Sequence, residues 1–376
     1  MYTLENKRIS SCMTSVSATP DSTRSVPKSP PEHIQLLADD LTGACDAAVA
    51  FLGKGRGVRV WLHDRAIFEA PETVQAVVTA SRHLEPEQAA KAVLRASAAL
   101  RKDHGTLLFK KIDSTLRGPL AAELLAAQQA MRCRAILLAP AFPSNGRTVQ
   151  DGILRVQDAS ESIQRISIFA CFPDHLHQQM TLIARAEEIA AALHSGKTIL
   201  VCDSTTQRDL EALASAALQV EGMLYAGSSG LARALAAVSA LPTDSEELPV
   251  APRTLVISGT AHPVTELQLR QIDLGPLPGT TLLRVRCEPG DQEQIRAACS
   301  ARDPQALVLT GGETALFVLR ALGADSLLLR GEFAPGIPWA VAQGGLASGR
   351  IVVTKSGGFG AAFTLNHLLH RLSGQA

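Results

Sequence analysis

Two neighbouring carboxylates stand where a short apolar run ends. Residues 34–38 have the length and composition of a buried strand, and Asp39 and Asp40 follow directly. Thr42 is expected to cap a helix that closes at Gly53. Ligands of open α/β sheets bind at the carboxyl ends of strands, so this loop is a candidate site. Adjacent carboxylates repel each other, so we expect a cation, a basic side chain or a polyol between them; two solvated aspartates are the alternative.

A second polar loop follows another predicted strand at 106–109. The segment KKIDSTLRG (110–118) brings three cations, a carboxylate and two hydroxyls to the start of a helix. Ammonium and hydroxyl groups bind carboxylates and sugar hydroxyls, so this loop predicts a small-molecule site, with a solvated turn as the alternative. Arg82 ends a third predicted strand, where an anion-binding role competes with an ordinary surface position. Arg147, beside an Asn-Gly turn, could reach a ligand as well.

Three strand–loop–helix units recur towards the carboxy terminus. Their loops are SGTAHP (258–263), TGGET (310–314) and KSGGFG (355–360). Small residues let the backbone approach a ligand, and the free N–H groups of a following helix favour phosphate. Three such loops in one domain predict a nucleotide site. We expect His262 to be structural, because no partner with ligand spacing stands near it.

These loops require a sheet that holds them at a common edge. From residue 33 short apolar runs alternate with Ala- and Leu-rich helical stretches, which is typical of a mostly parallel sheet covered on both faces. We therefore predict an α/β fold of two three-layer α/β domains with mostly parallel sheets and the active site in the cleft between them. The predicted segments are a disordered Ser/Thr/Pro-rich tail at 1–32, a first domain at 33–240, a linker at 241–252 and a second domain at 253–376.

The composition narrows the class of protein. The 376 residues carry a formal net charge of zero, and aromatic residues make up 4%, which argues against nucleic-acid or anionic-membrane partners. No apolar run is long enough to cross a bilayer. The seven cysteines form no C-x-x-C pair, which is typical of a reducing cytosol and not of a disulfide scaffold or zinc site. We expect a cytoplasmic protein, because the tail lacks the apolar core of a secretory signal.

The combined motifs resemble one family. They are ADDLTGACD (38–46), KKIDSTLRG (110–118), LAPAFPSNGRTVQDG (138–152), GSSGLA (227–232), SGT (258–260), TGGET (310–314), EFAPGIP (332–338) and KSGGFG (355–360). In this order they are similar to the four-carbon acid-sugar kinases, which phosphorylate threonate, erythronate or 3-oxo-tetronate with ATP.

The resemblance implies a role for each domain and its residues. The first domain would bind the acid sugar, through positions matching Asp40, Arg82, Lys111, Ile112, Asp113 and Ser114. The second would bind ATP, through positions matching Ser258, Gly311, Gly312, Glu313, Thr314 and Gly357.

The implied reaction is transfer of a phosphoryl group from ATP to an alcohol. Mg²⁺ would bridge the phosphate oxygens, and protein ligands to a metal are unknown. Asp40 or Asp113 would orient or deprotonate the attacking hydroxyl, while Arg82 and Lys111 hold the acid sugar. Closure about the linker at 241–252 would bring the two sites into line.

Several points stay open at this stage. The segment between Ser258 and the TGGET loop looks shorter than in typical members, so the alternative is a weakened relative that binds an acid sugar or nucleotide without transferring phosphate. Which four-carbon acid is used, on which hydroxyl, and whether the protein is a homodimer are not determined by the sequence.

Overall fold

The computed structural model describes residues 31–63, 71–100, 103, 105–157, 163–241 and 245–375. Within them the chain forms an α/β structure whose helices pack on a mostly parallel sheet, as predicted. Residues 1–30 of the predicted tail and 242–244 of the predicted linker lie outside the described residues. We call residues 31–241 the first half and residues 245–375 the second half.

The bounds of the regular elements are as follows. The strands are β1 (His33–Ala38), β2 (Val58–Trp61), β3 (Val74–Val78), β4 (Thr106–Lys111), β5 (Ala135–Ala139), β6 (Arg147–Gln150), β7 (Ile153–Gln157), β8 (Ile163–Ser167), β9 (Met180–Ile183), β10 (Ile199–Cys202), β11 (Met223–Gly227), β12 (Thr254–Ser258), β13 (Thr280–Arg284), β14 (Ala306–Thr310), β15 (Ser326–Ala334), β16 (Ile337–Gln343) and β17 (Ile351–Lys355). The α-helices are α1 (Leu41–Ala48), α2 (Pro86–Ala98), α3 (Leu120–Met131), α4 (Glu188–His194), α5 (Gln207–Ala217), α6 (Ser229–Val238), α7 (Pro263–Arg270), α8 (Asp291–Arg302), α9 (Gly312–Ala321) and α10 (Thr364–Ser373).

One sheet runs through both halves of the described chain. It has 14 strands in the order β13-β12-β14-β17-β16-β15-β2-β3-β1-β4-β11-β5-β10-β9, and β6, β7 and β8 form a separate antiparallel sheet. The two halves join where β15 pairs antiparallel with β2, from Ser326 opposite Trp61 to Leu329 opposite Val58. We call this pair the seam. The sequence did not predict that the two sheets would be continuous.

The seam reverses the direction of the second half. Because β15, β16 and β17 are successively antiparallel, β17 and its parallel neighbour β14 run opposite to the strands of the first half. In a flat sheet their carboxyl ends would lie at opposite edges. Six strand-to-strand steps separate β14 from β1, so a twist of about 20–25° per step accumulates to roughly 120–150°. A twist of this size would turn the two halves back towards a common direction, so that their loops can face each other.

The buried strands explain why the apolar runs were visible in the sequence. Strands β3, β5 and β14 are buried along their whole length, as parallel strands covered by helices on both faces must be. One apolar cluster includes Leu37 of β1, Leu309 of β14 and Leu327 of β15, so it passes from one half into the other. A smaller cluster, with Val353 and Leu368, packs beneath the second half.

The first helix differs from its prediction. Asp40, and not Thr42, is the N-cap of α1, because Asp40 has an extended backbone and its Oδ1 accepts the N–H of Gly43 at 2.9 Å. Thr42 lies in the first turn and donates its hydroxyl to Oδ2 of Asp40. The helix ends at Ala48 and continues as a 3₁₀ turn, so Gly53 does not close it.

The segment around the predicted linker packs on the second half. The N–H of Glu246 donates to the carbonyl of Arg330, and the indole N–H of Trp339 donates to the carbonyl of Glu246. Ala251 donates to the carbonyl of Leu372. Residues 245–252 are therefore attached to β15, β16 and α10.

Leu327 tests whether the seam is part of the folded core. It is fully buried in β15, opposite Val60 of β2 and Ala342 of β16. We expect Leu327→Ala to lower the free energy of unfolding by about 2–5 kcal/mol in urea titrations, because it leaves a cavity. Leu346→Ala, at a residue that is 49% exposed, should change it by less than about 0.5 kcal/mol. Equal effects of the two substitutions would contradict this packing.

Candidate active site

The guanidinium of Arg82 lies among three carboxylates just beyond the end of β3. Its Nε donates to Asp39 at 2.7 Å, and its Nη2 lies 2.8 Å from Asp40 and 3.6 Å from Asp113. All four side chains are largely buried. The basic side chain that the sequence predicted between the paired aspartates is therefore Arg82, which also joins them to the loop after β4.

The charges of this cluster shift the pKa values of its members. Burial alone would raise the pKa of Asp39, but the charges of Arg82, Lys110 and Lys111 hold it below its ordinary value. Burial would likewise raise the pKa of Asp113, but hydrogen bonds from Arg117 and the charge of Arg82 lower it strongly. Burial opposes the charge on Arg82, yet the carboxylates raise its pKa well above the ordinary value. Asp39, Asp113 and Arg82 are therefore charged at neutral pH.

The two lysines of the basic loop have different surroundings. Lys110 is completely buried and its Nζ lies 2.6 Å from Oε2 of Glu123 on α3, so its charge is matched inside the first half. Lys111 is also buried, but its Nζ donates to the carbonyl of Ile112 at 2.7 Å and lies over Gly43 at the start of α1. An ammonium has three donors, so Lys111 keeps capacity for a ligand.

Asp113 is occupied by its own loop. Its Oδ2 accepts the hydroxyl of Thr115 at 2.5 Å and the Nε of Arg117 at 2.8 Å, and its Oδ1 accepts Nη2 of Arg117 at 2.9 Å. Ile112 is buried and Ser114 is partly buried between these polar residues. With its low pKa and occupied oxygens, Asp113 is a weak candidate for accepting a proton.

In the second half, three predicted loops lie side by side. Ser258 of β12 is in register with Thr310 of β14, and Thr310 is in register with Lys355 of β17. The loops that begin at these strand ends therefore lie together, and both Gly311 and Gly357 face Thr260. Gly311 has a positive φ of 90° and donates its N–H to the carbonyl of Lys355 at 2.8 Å, a conformation that favours glycine.

The two sets of loops are in direct contact. Gly312, the first residue of α9, packs so closely on Asp40 that a Cβ at this position would overlap Oδ2 of the carboxylate. Ser356 and Thr42 share a hydrogen bond of 3.0 Å between their hydroxyls. The structure thus brings Asp40, Arg82, Lys111 and Asp113 together, with Ile112 and Ser114 in the same loop as Lys111 and Asp113. Across the boundary Asp40 contacts Gly312, and Thr42 contacts Ser356. Gly311 and Gly357 lie in the same second-half loops as these contacts, whereas Thr314 and Ser258 are buried.

Glu313 and Thr314 point in different directions. The carboxylate of Glu313 is exposed and lies 2.8 Å from Nε2 of His83, next to Arg82 in the sequence. Thr314 is buried, and its hydroxyl lies 3.7 Å from the sulfur of Cys287. Glu313 is therefore a surface contact between the halves, whereas Thr314 belongs to the interior of the loop.

Two residues near the nucleotide loops were not singled out as site residues by the sequence. Lys355 is fully buried, its Nζ donates to the carbonyls of Ser356 and Phe359, and burial lowers its pKa to about 7. His262 is the N-cap of α7, and its Nδ1 accepts the N–H of Val264. Its ring also packs against Gly357 and Gly358. The sequence showed these residues at loop positions but could not show their burial or neighbours.

A second ion network joins the halves through α1, α6 and β15. Arg233 lies 2.5 Å from Glu332 and 3.5 Å from Asp46, whose other oxygen accepts the hydroxyl of Ser229. Burial raises the pKa of Asp46. The acidic end of the ADDLTGACD segment therefore stabilises the contact between the halves through Arg233.

Two cavities lie outside the charged cluster. One of about 280 Å³ lies between the halves and is lined by Phe142, Ser144, Asn145, Ala334, Pro335, Ile337, Gly360, Ala361 and Thr364. Another, of about 570 Å³, lies entirely in the first half, near the carboxyl ends of β9 and β10. The larger cavity contains none of the predicted site residues, so cavity size alone does not identify the site.

The residues of the second half fit a phosphate group. Helix α9 begins without a side-chain cap, so its first N–H groups are available to an anion next to glycines that allow close approach. Within the described ranges, no group of three or more His, Cys, Asp or Glu side chains is placed to hold a metal ion. No described helix combines the length and apolar character needed to cross a membrane.

Comparison with known families gives two matches along this chain. A family model described as a sugar-binding N-terminal domain matches residues 34–235, and one described as a nucleotide-binding C-terminal domain matches residues 292–365. Both halves of the site described above contain matched residues.

Curated relatives cover nearly the whole chain. It is 32% identical to a D-threonate kinase of Cupriavidus necator over 88% of this chain and 96% of that enzyme. It is 30% identical to a D-threonate kinase of Bordetella bronchiseptica, over 87% of this chain and 94% of that enzyme. It is 27% identical to a 3-oxo-tetronate kinase of Pseudomonas fluorescens, over 90% of this chain and 96% of that enzyme. The alignment with the Cupriavidus enzyme is 409 positions long, but it includes only 88% of the 376 residues of this chain. This chain therefore has gaps relative to that enzyme.

Solved structures support the fold. A protein of Haemophilus influenzae matches with a TM-score of 0.64 at 20% identity, over 90% of this chain and 99% of that chain. A protein of Salmonella typhimurium LT2 matches with a TM-score of 0.63 at 21% identity, over 88% of this chain and 97% of that chain. At these identities the likeness concerns the fold alone.

Removing the cation from the carboxylate cluster should destabilise the protein in a pH-dependent way. In Arg82→Gln three buried carboxylates lose their shared partner, a change that costs about 3–5 kcal/mol when a buried pair is broken. In the wild type, folding lowers the pKa values of Asp39 and Asp113, so both carboxylates contribute to stability. That contribution is fully present above their pKa in the unfolded chain, about 4, and it is lost as the pH falls through their pKa in the folded protein. In the variant these pKa values rise, so the deficit should be largest near pH 8 and should narrow towards pH 5 and below.

Urea titrations at several pH values measure this deficit. Arg330→Gln is the matched control, because it removes an exposed pair with Glu246 and should cost no more than about 1 kcal/mol at any pH. A deficit of Arg82→Gln that is independent of pH, or no larger than that of the control, would contradict the description of the cluster.

Proposed function

Because this chain belongs to the four-carbon acid-sugar kinase family, we propose that it uses ATP to phosphorylate an alcohol group of threonate, erythronate or 3-oxo-tetronate. The first half would bind the acid sugar and the second half would bind the nucleotide. Mg²⁺ bound with ATP, and a cytoplasmic location, are parts of the same proposal. The relatives named above as kinases of D-threonate and 3-oxo-tetronate support the choice of substrate class.

One observation carries the proposal more than any other. The start of α9 at Gly312 packs on the carboxylate of Asp40, at the end of the acid-and-base cluster of the first half. Phosphoryl transfer depends chiefly on alignment and on neutralising charge, so donor and acceptor sites must be adjacent. Their contact across the two halves provides that adjacency.

The acid sugar would be held by the basic loop. Lys111 has unused donors beside the Asp40 carboxylate and can bind a carboxylate or hydroxyl of the substrate. Arg82 is already matched by three carboxylates, so we assign it the role of holding these groups in place. The backbone and side chains of Ile112 and Ser114 complete this wall of the proposed site.

Asp40 is the better candidate for orienting the attacking hydroxyl. Both oxygens of Asp113 accept hydrogen bonds within their own loop, and its pKa is strongly lowered. Oδ2 of Asp40 accepts one hydroxyl, from Thr42, and faces the start of α9. A carboxylate in this position can accept a hydrogen bond from the substrate hydroxyl and, as transfer proceeds, its proton.

The nucleotide would be held by the glycine-rich loops of the second half. The N–H groups at the start of α9, from Gly312 to Thr314, would bind phosphate oxygens, and Ser258 and Gly357 lie at the neighbouring strand ends. When bound, ATP with Mg²⁺ supplies the phosphoryl group and a cation that neutralises charge on its oxygens.

The alternative is a relative that binds ligand without transferring phosphate. The gaps of this chain relative to the Cupriavidus enzyme favour considering it. Coupled ADP release separates the two, because a binding protein would give saturable binding of an acid sugar or nucleotide in calorimetry with no ADP formed.

Substitutions in the first half test the assigned roles. ADP release should be measured with ATP, Mg²⁺ and a panel of D- and L-threonate, erythronate and 3-oxo-tetronate. Asp40→Asn, which keeps the size and capping ability of the side chain, should lower kcat by about 10²–10⁴-fold. Lys111→Ala should lower kcat/KM for the acid by about 10²-fold, as loss of a charge-assisted contact with the substrate predicts.

Lys91→Ala is the matched control. Lys91 is exposed on α2 and pairs only with exposed Glu87 among its described partners, so its removal should leave turnover unchanged. Wild-type rates in both Asp40→Asn and Lys111→Ala would remove these residues from the site. Absence of ADP with every acid in the panel would contradict the kinase itself.

A further inference from the structure

We propose that Arg147 binds the phosphoryl group during its transfer, reaching it from the half of the protein that holds the acid sugar. Arg117 of the same half and His262 of the other half would complete the binding surface. This inference rests on the proposed function and names residues that neither the family resemblance nor the matched descriptions assign.

The side chain of Arg147 is poorly satisfied within the protein. Its Nη1 donates to the carbonyl of Asn145, while its Nε is buried and has no hydrogen-bond partner in the described structure. Among the described residues no carboxylate forms an ion pair with Arg147. A buried guanidinium donor without an acceptor is costly, and an anionic ligand would satisfy it.

Arg147 lies where the two halves meet. It begins β6, directly after the turn Phe142–Gly146, and the ring of Phe142 packs edge-on against Phe359 of the second half with centroids 6.2 Å apart. Phe359 follows Gly357 and Gly358, against which the ring of His262 packs. The turn before Arg147 and the ring of His262 therefore contact the same loop, 356–360.

The charged groups around Arg147 come from both halves. Burial, and then the charges of Lys355, Arg117 and Arg147, lower the pKa of His262. Burial lowers the pKa of Arg147. The negative charge of Asp113 acts in the opposite direction, and the positive charge of Arg117 lowers the pKa further. Asp113 is a carboxylate close enough to act on the charge of Arg147, and it forms an ion pair with Arg117.

His262 would act as a neutral donor. Because its Nδ1 accepts the N–H of Val264, the ring proton is assigned to Nε2, on the side that faces Gly358. With the guanidinium groups of Arg147 and Arg117, this gives donors on both sides of the boundary between the halves.

The charge of this group suits a phosphoryl group better than the acid sugar. A four-carbon acid carries one carboxylate, for which Lys111 is available beside Asp40. The group in transfer carries negative charge on three oxygens and must lie between the two halves. Donors supplied from both sides at that point would stabilise the charge that develops in the transition state.

An unpartnered Nε is not sufficient evidence alone, and Arg155 shows why. Arg155 of β7 also has a buried Nε without a partner in the described residues. It is paired with Thr148, whereas Arg147 is paired with Val156, so the two arginines lie on opposite faces of the small sheet. Only Arg147 neighbours the turn that meets the second half, which makes Arg155 a matched control.

The test compares Arg147→Gln, Arg147→Lys and Arg155→Gln in the full chain. With ATP and the preferred acid, Arg147→Gln should lower kcat by about 10²–10³-fold while KM for the acid changes by less than about threefold, as loss of a contact made in the transition state predicts. Arg147→Lys should recover part of kcat, because it keeps the charge but not the two-pronged geometry. Arg155→Gln should match the wild type.

Calorimetry with inorganic pyrophosphate gives a readout that does not depend on turnover. Binding should weaken about tenfold or more in Arg147→Gln and remain unchanged in Arg155→Gln, and matching melting temperatures would show that the variants are folded. The inference is overturned if Arg147→Gln keeps its kcat and its affinity for pyrophosphate, or if its loss falls on KM for the acid alone, which would place Arg147 on the substrate carboxylate. Wild-type protein that forms no ADP would overturn the proposed function instead, and the pyrophosphate titration would still decide whether Arg147 binds phosphate.

Discussion

The ion cluster around Arg82 is the interaction on which the arrangement of the site depends. One buried guanidinium contacts Asp39 and Asp40 after β1 and Asp113 after β4, and it stands itself at the end of β3. Three adjacent strands thus have their loops joined by one cation. Buried carboxylates at this density would repel each other and take up protons without it. With it Asp39 and Asp113 stay ionised, and Asp40 is held where it can both cap α1 and meet the start of α9.

The continuous sheet constrains how the two halves can move. They are joined by the antiparallel seam between β15 and β2, by the Arg233–Glu332 ion pair and by a shared apolar cluster, in addition to the covalent connection. Residues 245–252 are attached to the second half by backbone hydrogen bonds. Domain closure about a loose linker, as the sequence suggested, would therefore have to bend or twist the sheet at the seam. A twist of the usual size would also let halves of opposite direction present the carboxyl ends of their strands to each other.

Much of this organisation could be predicted from local sequence. Apolar runs such as 135–139 and 306–309 gave strands, because a strand buried on both faces consists almost wholly of apolar residues. Polar loops at strand ends predicted the candidate site residues of the first half and of the second half. The pair β15–β16 was missed, because its mixture of Arg, Gly, Glu and Pro does not follow the buried pattern, and with it the seam was missed. Side-chain partners were also invisible: the sequence could not tell that Lys110 is paired with Glu123 while Lys111 is not, or that Arg82 is bound by aspartates.

The central claim is that the acid-and-base cluster of the first half and the helix starts of the second half form the two walls of one site. A crystal structure with a non-hydrolysable ATP analogue and the preferred acid sugar tests it most directly. The account predicts the acid sugar against Lys111 and Asp40, with the terminal phosphate between the start of α9 and Arg147. An acid sugar bound in the first-half cavity near β9 and β10, or a phosphate remote from Asp40, would contradict it.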